Sequence, residues 1–163
     1  MKKILVTLAF GCLSIAGFSN SGTPEFAYDS LRKIEARYIN VKALKDFKTR
    51  FANTSDATWF TASYGFVSYF TQDGHTNRIY YNKKGNWVYS LLTYGEAKLD
   101  REVRKAVKMN FYDLDITVVK ELQTVSGLVY FITLEDKTSI KILKINREGE
   151  MEITQDLQKT MSF

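Results

Sequence analysis

The chain has 163 residues, of which 45% are hydrophobic and 25% charged, with one cysteine and one histidine. That length suits one substantial domain or two small units sharing a core, and the composition excludes a disordered or fibrous chain. The formal charge of +5 falls to +3 without Lys2 and Lys3, and the remaining Lys, Asp and Glu interleave, which excludes the clustered basic surface that nucleic-acid binding needs.

The opening stretch, MKKILVTLAFGCLSIAGFSNS, has the order of a secretory signal peptide. Lys2 and Lys3 supply the positive start, residues 4–18 the apolar run, and Ala16, Ser19 and Ser21 the small residues for cleavage. A run of 15 residues is short of the roughly 20 that span a bilayer as a helix. Residues 1–21 are therefore expected to leave, and the mature chain to be periplasmic or secreted, without a membrane span and without cysteine. Cys12 after Ala9-Phe10-Gly11 opens the alternative of a lipid anchor, but Leu13, Ile15, Ala16 and Phe18 continue the apolar run that such a cysteine should close.

A polar lead follows at 22–40, with Pro24, and helical spacing of Tyr28, Leu31, Ile34 and Tyr38 predicts a helix near 26–38. Val41, Leu44, Phe47 and Phe51 predict a second helix over 41–52, with Asn40 as its cap. Strands are predicted at 57–63, 65–72, 75–82 and 86–94. Asp73-Gly74 marks a two-residue hairpin and Lys83-Lys84-Gly85 a three-residue one. The pattern then recurs: Leu99, Val103, Val107 and Phe111 predict a helix over 99–112, and strands follow near 115–123, 128–135, 139–146 and 150–157. Phe51 and Phe111 lie 60 residues apart, and Gly85 and Gly149 lie 64 apart. The reading is α+β: tandem αββββ units, 41–94 and 95–163.

Hairpin register sorts the side chains, because residues opposite each other share a face. In the first unit Phe66, Ser68, Phe70, Ile79, Tyr81, Trp87, Tyr89 and Leu91 are expected on one face. Val67, Tyr69, Thr71, Arg78, Tyr80, Val88, Ser90 and Leu92 fall on the other. In the second unit Tyr130, Ile132, Leu134, Leu143, Ile145, Met151 and Ile153 share a face opposite Val129, Phe131, Thr133, Ile140, Ile142, Lys144, Glu152 and Thr154. The first set in each unit is the more apolar and is expected under the helix. The second set is left open, and Tyr69, Arg78, Tyr80, Phe131 and Lys144 are its candidate binding residues.

The helix ending in phenylalanine, Trp59, GFVSYF, YYNKKGNW, FYDLDITVVKEL and LVYFITLE together resemble exported bacterial PepSY-like proteins whose fold is likened to the β-lactamase inhibitory protein. The resemblance covers about residues 41–157. It implies a curved antiparallel sheet with helices packed on one face, and protein binding or inhibition rather than catalysis. The chain departs from the family pattern at Ala52, where proline is common, and at Asn82, where aspartate is common.

Chemistry-bearing constellations are sparse. His75 stands in a turn with no cysteine near it, so neither a zinc set nor a Ser-His-Asp triad can be assembled around it. Asp113 and Asp115 fit the start of a strand better than an acid-base pair, and the single glycines form no phosphate loop. No catalytic, cofactor or metal residues are expected. The expected partner is another exported or envelope protein, such as a peptidase, met through Tyr69, Arg78 and Tyr80, because Tyr and Arg are enriched at interfaces. The alternative is a carrier of a small molecule or peptide.

Overall fold

In the computed structural model, residues 31–54 and 56–159 are described. The expected leader, its expected cleavage site and Cys12 lie outside them. Among the described residues, nine strands form a single antiparallel sheet in strict sequence order. β1 (Arg32–Ile34) precedes helix α1 (Val41–Arg50); β2 (Thr58–Ala62), β3 (Gly65–Gln72), β4 (His75–Asn82) and β5 (Trp87–Tyr94) follow. Helix α2 (Arg101–Asn110) then leads into β6 (Asp115–Thr124), β7 (Gly127–Glu135), β8 (Ser139–Asn146) and β9 (Met151–Gln158). The fold is α+β, in helix-then-strands units.

Both helices begin and end by the same local chemistry. The Asn40 side-chain oxygen accepts from the Lys42 amide at 2.9 Å, and Asp100 Oδ1 accepts from Glu102 and Val103 at 2.9 and 3.1 Å. Each cap satisfies amides that the first turn cannot, a contribution of about 1 kcal/mol. Phe51 and Phe111 close the helices, donating their amides to Phe47 and Val107 carbonyls.

The turns repeat too. Asp73 and Gly74 both take positive φ, 52° and 77°, as the two-residue hairpin requires. Asn82 and Asn146 each accept the amide four residues on, at 3.0 and 2.9 Å, with Gly85 and Gly149 at φ of 78° and 87°. Asparagine thus supplies the same acceptor as the aspartate expected at position 82 from the family pattern.

The helices pack on one face. Phe47 of α1 meets the Trp59 and Phe70 rings edge-on, with centroids 5.1 and 5.5 Å apart, above Ile79 and Tyr81. Val107 of α2 packs over Val119, Ile132, Leu134, Leu143 and Ile145. Phe70, Ile79, Tyr81, Ile132, Leu134, Leu143 and Ile145 lie on the faces anticipated under the helices, while Ile153, expected with them, is exposed.

Two expectations are corrected. In place of a helix near 26–38, the described part holds β1, paired through Ile34 with Trp59, and a single 3-10 turn at Ala36–Tyr38. The spacing of Leu31, Ile34 and Tyr38 was ambiguous over so short a stretch, and pairing with β2 decides it. The second correction is a bulge. Tyr81 stands opposite Trp87, but Tyr80 stands opposite Tyr89, leaving Val88 as the extra residue. Tyr89 and Leu91 therefore join Tyr80 and Arg78 on the open face, while Ser90 and Leu92 turn toward the helices. Ser90 Oγ accepts the Trp87 indole N–H at 2.9 Å. A similar shift between Ile142 and Leu143 takes Thr154 out of the open-face alternation and brings in Gln155.

Candidate functional site

The face opposite the helices is crossed by continuous rungs of paired residues. One runs Thr58, Tyr69, Arg78, Leu91, Leu122, Val129 and Asn146. The next runs Thr71, Thr76, Thr93, Lys120, Phe131, Lys144 and Glu152. A third runs Phe60, Val67, Tyr80, Tyr89 and Thr124. All five candidate residues lie on this face, on three adjacent rungs that span both units.

Their accessibility differs. Tyr69 is 38% exposed, and the Arg78 guanidinium lies 5.7 Å from its ring centroid, within cation–π range. Lys144 is exposed and pairs with Glu152 at 3.6 Å, a weak surface contact. Tyr80 and Phe131, expected to be free, are buried at 3% and 8% exposure. Tyr80 is stacked on Tyr89 at 4.1 Å between centroids and on Tyr64, at the β2–β3 turn, at 6.3 Å. Phe131 is flanked on its rung by Lys120 and Lys144, whose alkyl stems suit such cover. Val67 and Leu91 are buried as well. The face thus has a packed apolar floor with Tyr69, Arg78 and Lys144 reaching from it.

Tyr64, Tyr80 and Tyr89 share hydroxyl hydrogen bonds centred on Tyr89. Burial, first, pushes all three phenols above their ordinary value, and for Tyr89 the neighbouring phenols push further. The hydroxyls stay neutral donors and acceptors at any physiological pH. Tyr64 and Tyr89 were missed as members of this face. Trp87-Val88-Tyr89 carries no local mark of a bulge, because aromatic residues two apart are what regular alternation also produces.

On the helix side, His75 packs edge-on against Tyr94 at 4.9 Å. Among the described residues, no group of three or more His, Cys, Asp or Glu could hold a metal ion. No described helix is long and apolar enough to cross a membrane.

No family model matches the sequence, and no curated protein is similar to it. Solved structures do share the fold. A DUF2874-family protein from Bacteroides ovatus superposes with a TM-score of 0.60 at 14% identity, covering 74% of this chain and 87% of that one. A BLIP-like protein from Bacteroides fragilis gives 0.60 at 14% identity over 77% and 89%. A candidate periplasmic protein from Bacteroides eggerthii gives 0.58 at 14% identity over 74% and 89%. The fold is the one the aromatic and turn spacings resemble. At these identities the likeness is one of fold.

Proposed function

We propose that the chain is an exported, non-enzymatic interaction module that engages another envelope protein, such as a peptidase, through the open face of its sheet. One observation carries the reading. Tyr69 and Arg78 project side by side from a packed floor of Val67, Tyr80, Leu91 and Phe131. Anchors of this type dominate binding energy when they stand on rigid support, because little side-chain freedom remains to be lost on association.

Location rests on the leader at residues 1–21 and on the candidate periplasmic protein of Bacteroides eggerthii that shares the fold. The likeness to a BLIP-like protein supports binding between proteins, with inhibition as one form of it. The organisation that goes with this reading is a removed leader, a lead over 22–40, and two units at 41–94 and 95–163. A carrier would use a pocket on the open face, whereas clefts of about 410 and 180 Å³ lie on the helix side.

The test is affinity capture of the mature protein from envelope extract, repeated with a Tyr69→Ala/Arg78→Ala variant. The partner retained by the wild type should be lost by the variant, at a cost of about 2 kcal/mol or more of binding. Circular dichroism should show the variant folded. Undiminished capture by the folded variant would overturn the assignment.

A further inference from the structure

The two units are internal templates for each other, and one difference lies where the helix meets the last hairpin turn. In the first unit α1 is tied to β4 and the β4–β5 turn by three side-chain hydrogen bonds. Asn40 Nδ2 donates to the Lys83 carbonyl at 3.2 Å, the Lys42 ammonium donates to Asn86 Oδ1, and the Tyr81 hydroxyl donates to Asp46 Oδ2 at 3.0 Å. The contact is so close that a Cβ on Gly85 would lie 2.5 Å from Asn40 Oδ1.

The matching positions of the second unit follow from the offsets of 60 in the helices and 64 in the turns. Asn40 becomes Asp100, Lys42 becomes Glu102 and Asp46 becomes Ala106. Tyr81 becomes Ile145 and Asn86 becomes Glu150. None of the three ties can form: Asp100 has no hydrogen to give, Glu102 and Glu150 repel, and Ala106 and Ile145 are apolar. A Cβ on Gly149 would meet nothing within 4 Å. Between the start of α2 and the β8–β9 turn lies a cleft of about 410 Å³ instead.

The lining of the cleft has a definite chemistry. Val103, Ala106, Leu128 and Ile145 give apolar wall, and Asp100, Glu102 and Glu148 give carboxylates against the single cation Arg147. Tyr130 lines it too. This residue is 93% buried, its exposure being 7%, and its hydroxyl has no hydrogen-bond partner among the described residues. Its oxygen is open to the cleft rather than sealed in the core, so it is presented there as a donor and acceptor. The nearby Glu121 carboxylate is already engaged by the Tyr94 hydroxyl and Gln123.

We propose that this cleft takes a lysine side chain of a partner polypeptide. The alkyl stem lies against the apolar wall, and the ammonium stands near Glu102 and the Tyr130 hydroxyl, taking the place that Lys42 fills from within the first unit. This site is separate from the open sheet face and does not depend on the reading of that face.

The experiment is an amide-resolved NMR titration of the full mature chain. N-acetyl-lysine methylamide should give saturable shifts confined to residues 100–106 and 146–150. N-acetyl-norleucine methylamide, which has a stem but no ammonium, should bind at least about tenfold more weakly, as loss of one charge-assisted hydrogen bond implies. Glu102→Lys should abolish the response and raise the melting temperature, because it restores the first unit's own cation. Tyr130→Phe should stay folded by circular dichroism and bind several-fold more weakly. Absence of saturable shifts at the cleft would overturn the proposal, as would equal binding of the norleucine amide or an undiminished response in Glu102→Lys. Tighter saturation by free 1,5-diaminopentane than by the lysine amide would overturn the polypeptide source.

Discussion

The tie between Tyr81 and Asp46 can be weighed directly by Tyr81→Phe, which removes one hydroxyl and leaves the ring. Tyr81 is fully buried, its ring 5.9 Å from Trp59 and its hydroxyl 3.0 Å from Asp46 Oδ2. Truncation to alanine would cost about 3–5 kcal/mol of packing and obscure the polar contribution. A hydrogen bond to a charged acceptor is worth about 1.5–3 kcal/mol. The lower end applies here, because Asp46 keeps its ion pair with Arg50 at 2.8 Å and its side chain is 30% exposed to water. About 1.5 kcal/mol in a domain of this size lowers the melting temperature by about 5–7 °C. Urea melts of wild type, Tyr81→Phe, Asp46→Ala and the double variant close a cycle that isolates the pair from the Arg50 contribution. A coupling of about 1 kcal/mol or more is expected. A coupling within about 0.3 kcal/mol of zero would refute the view that this bond holds α1 to the sheet, and with it the physical reason for the cleft in the other unit.

Three further outcomes follow from the same coordinates. Gly85→Ala and Gly149→Ala each place a Cβ at positive φ, a cost of about 1–2 kcal/mol, but Gly85 also meets Asn40, so its variant should melt at lower urea. The amides of Thr138 and then Ser139, with their hydroxyls, hold the Asp136 carboxyl down to about 2 from 3.8. Its contribution is complete above pH 3.8 and lost as pH falls toward 2, so Asp136→Ala should flatten the acid limb of the stability curve. The Tyr81, Tyr89 and Tyr94 phenols are raised above 10.0, by burial first, so their contribution is complete below pH 10.0 and lost at higher pH. Urea midpoints should fall there, and phenolate absorbance should develop together with unfolding rather than before it.

Much of the architecture is legible in residue spacing because its turns are made by local chemistry. Asp73-Gly74, and Asn82 and Asn146 with their glycines, close hairpins through contacts only four residues wide, and the two phenylalanine caps mark equivalent helix ends. What is not legible depends on partners far along the chain. The short strand Arg32–Ile34 exists because Trp59 and its neighbours offer an edge. The bulge at Val88 exchanges Tyr89 and Leu91 with Ser90 and Leu92 between faces, and nothing in the local sequence marks it. The face of Tyr80 could be read from the β3–β4 hairpin, but its burial depends on Tyr64 and Tyr89, one of them displaced by that bulge. For the cleft beside Tyr130 the two units had to be laid on each other, since each missing tie is an ordinary surface or core residue when read alone.

The strict order of the strands bears on how the molecule assembles. Every strand pairs with its immediate successor, so no loop must close over a distant segment before its neighbours are in place. The sheet can grow at its advancing edge, each new hairpin templated by the last. The first unit, with α1 fastened to its own turn, can be complete before β6 exists. A chain emerging N-terminus first therefore has little need to hold a finished half open while it waits for the remainder. The interval during which apolar strand edges stand bare is correspondingly short.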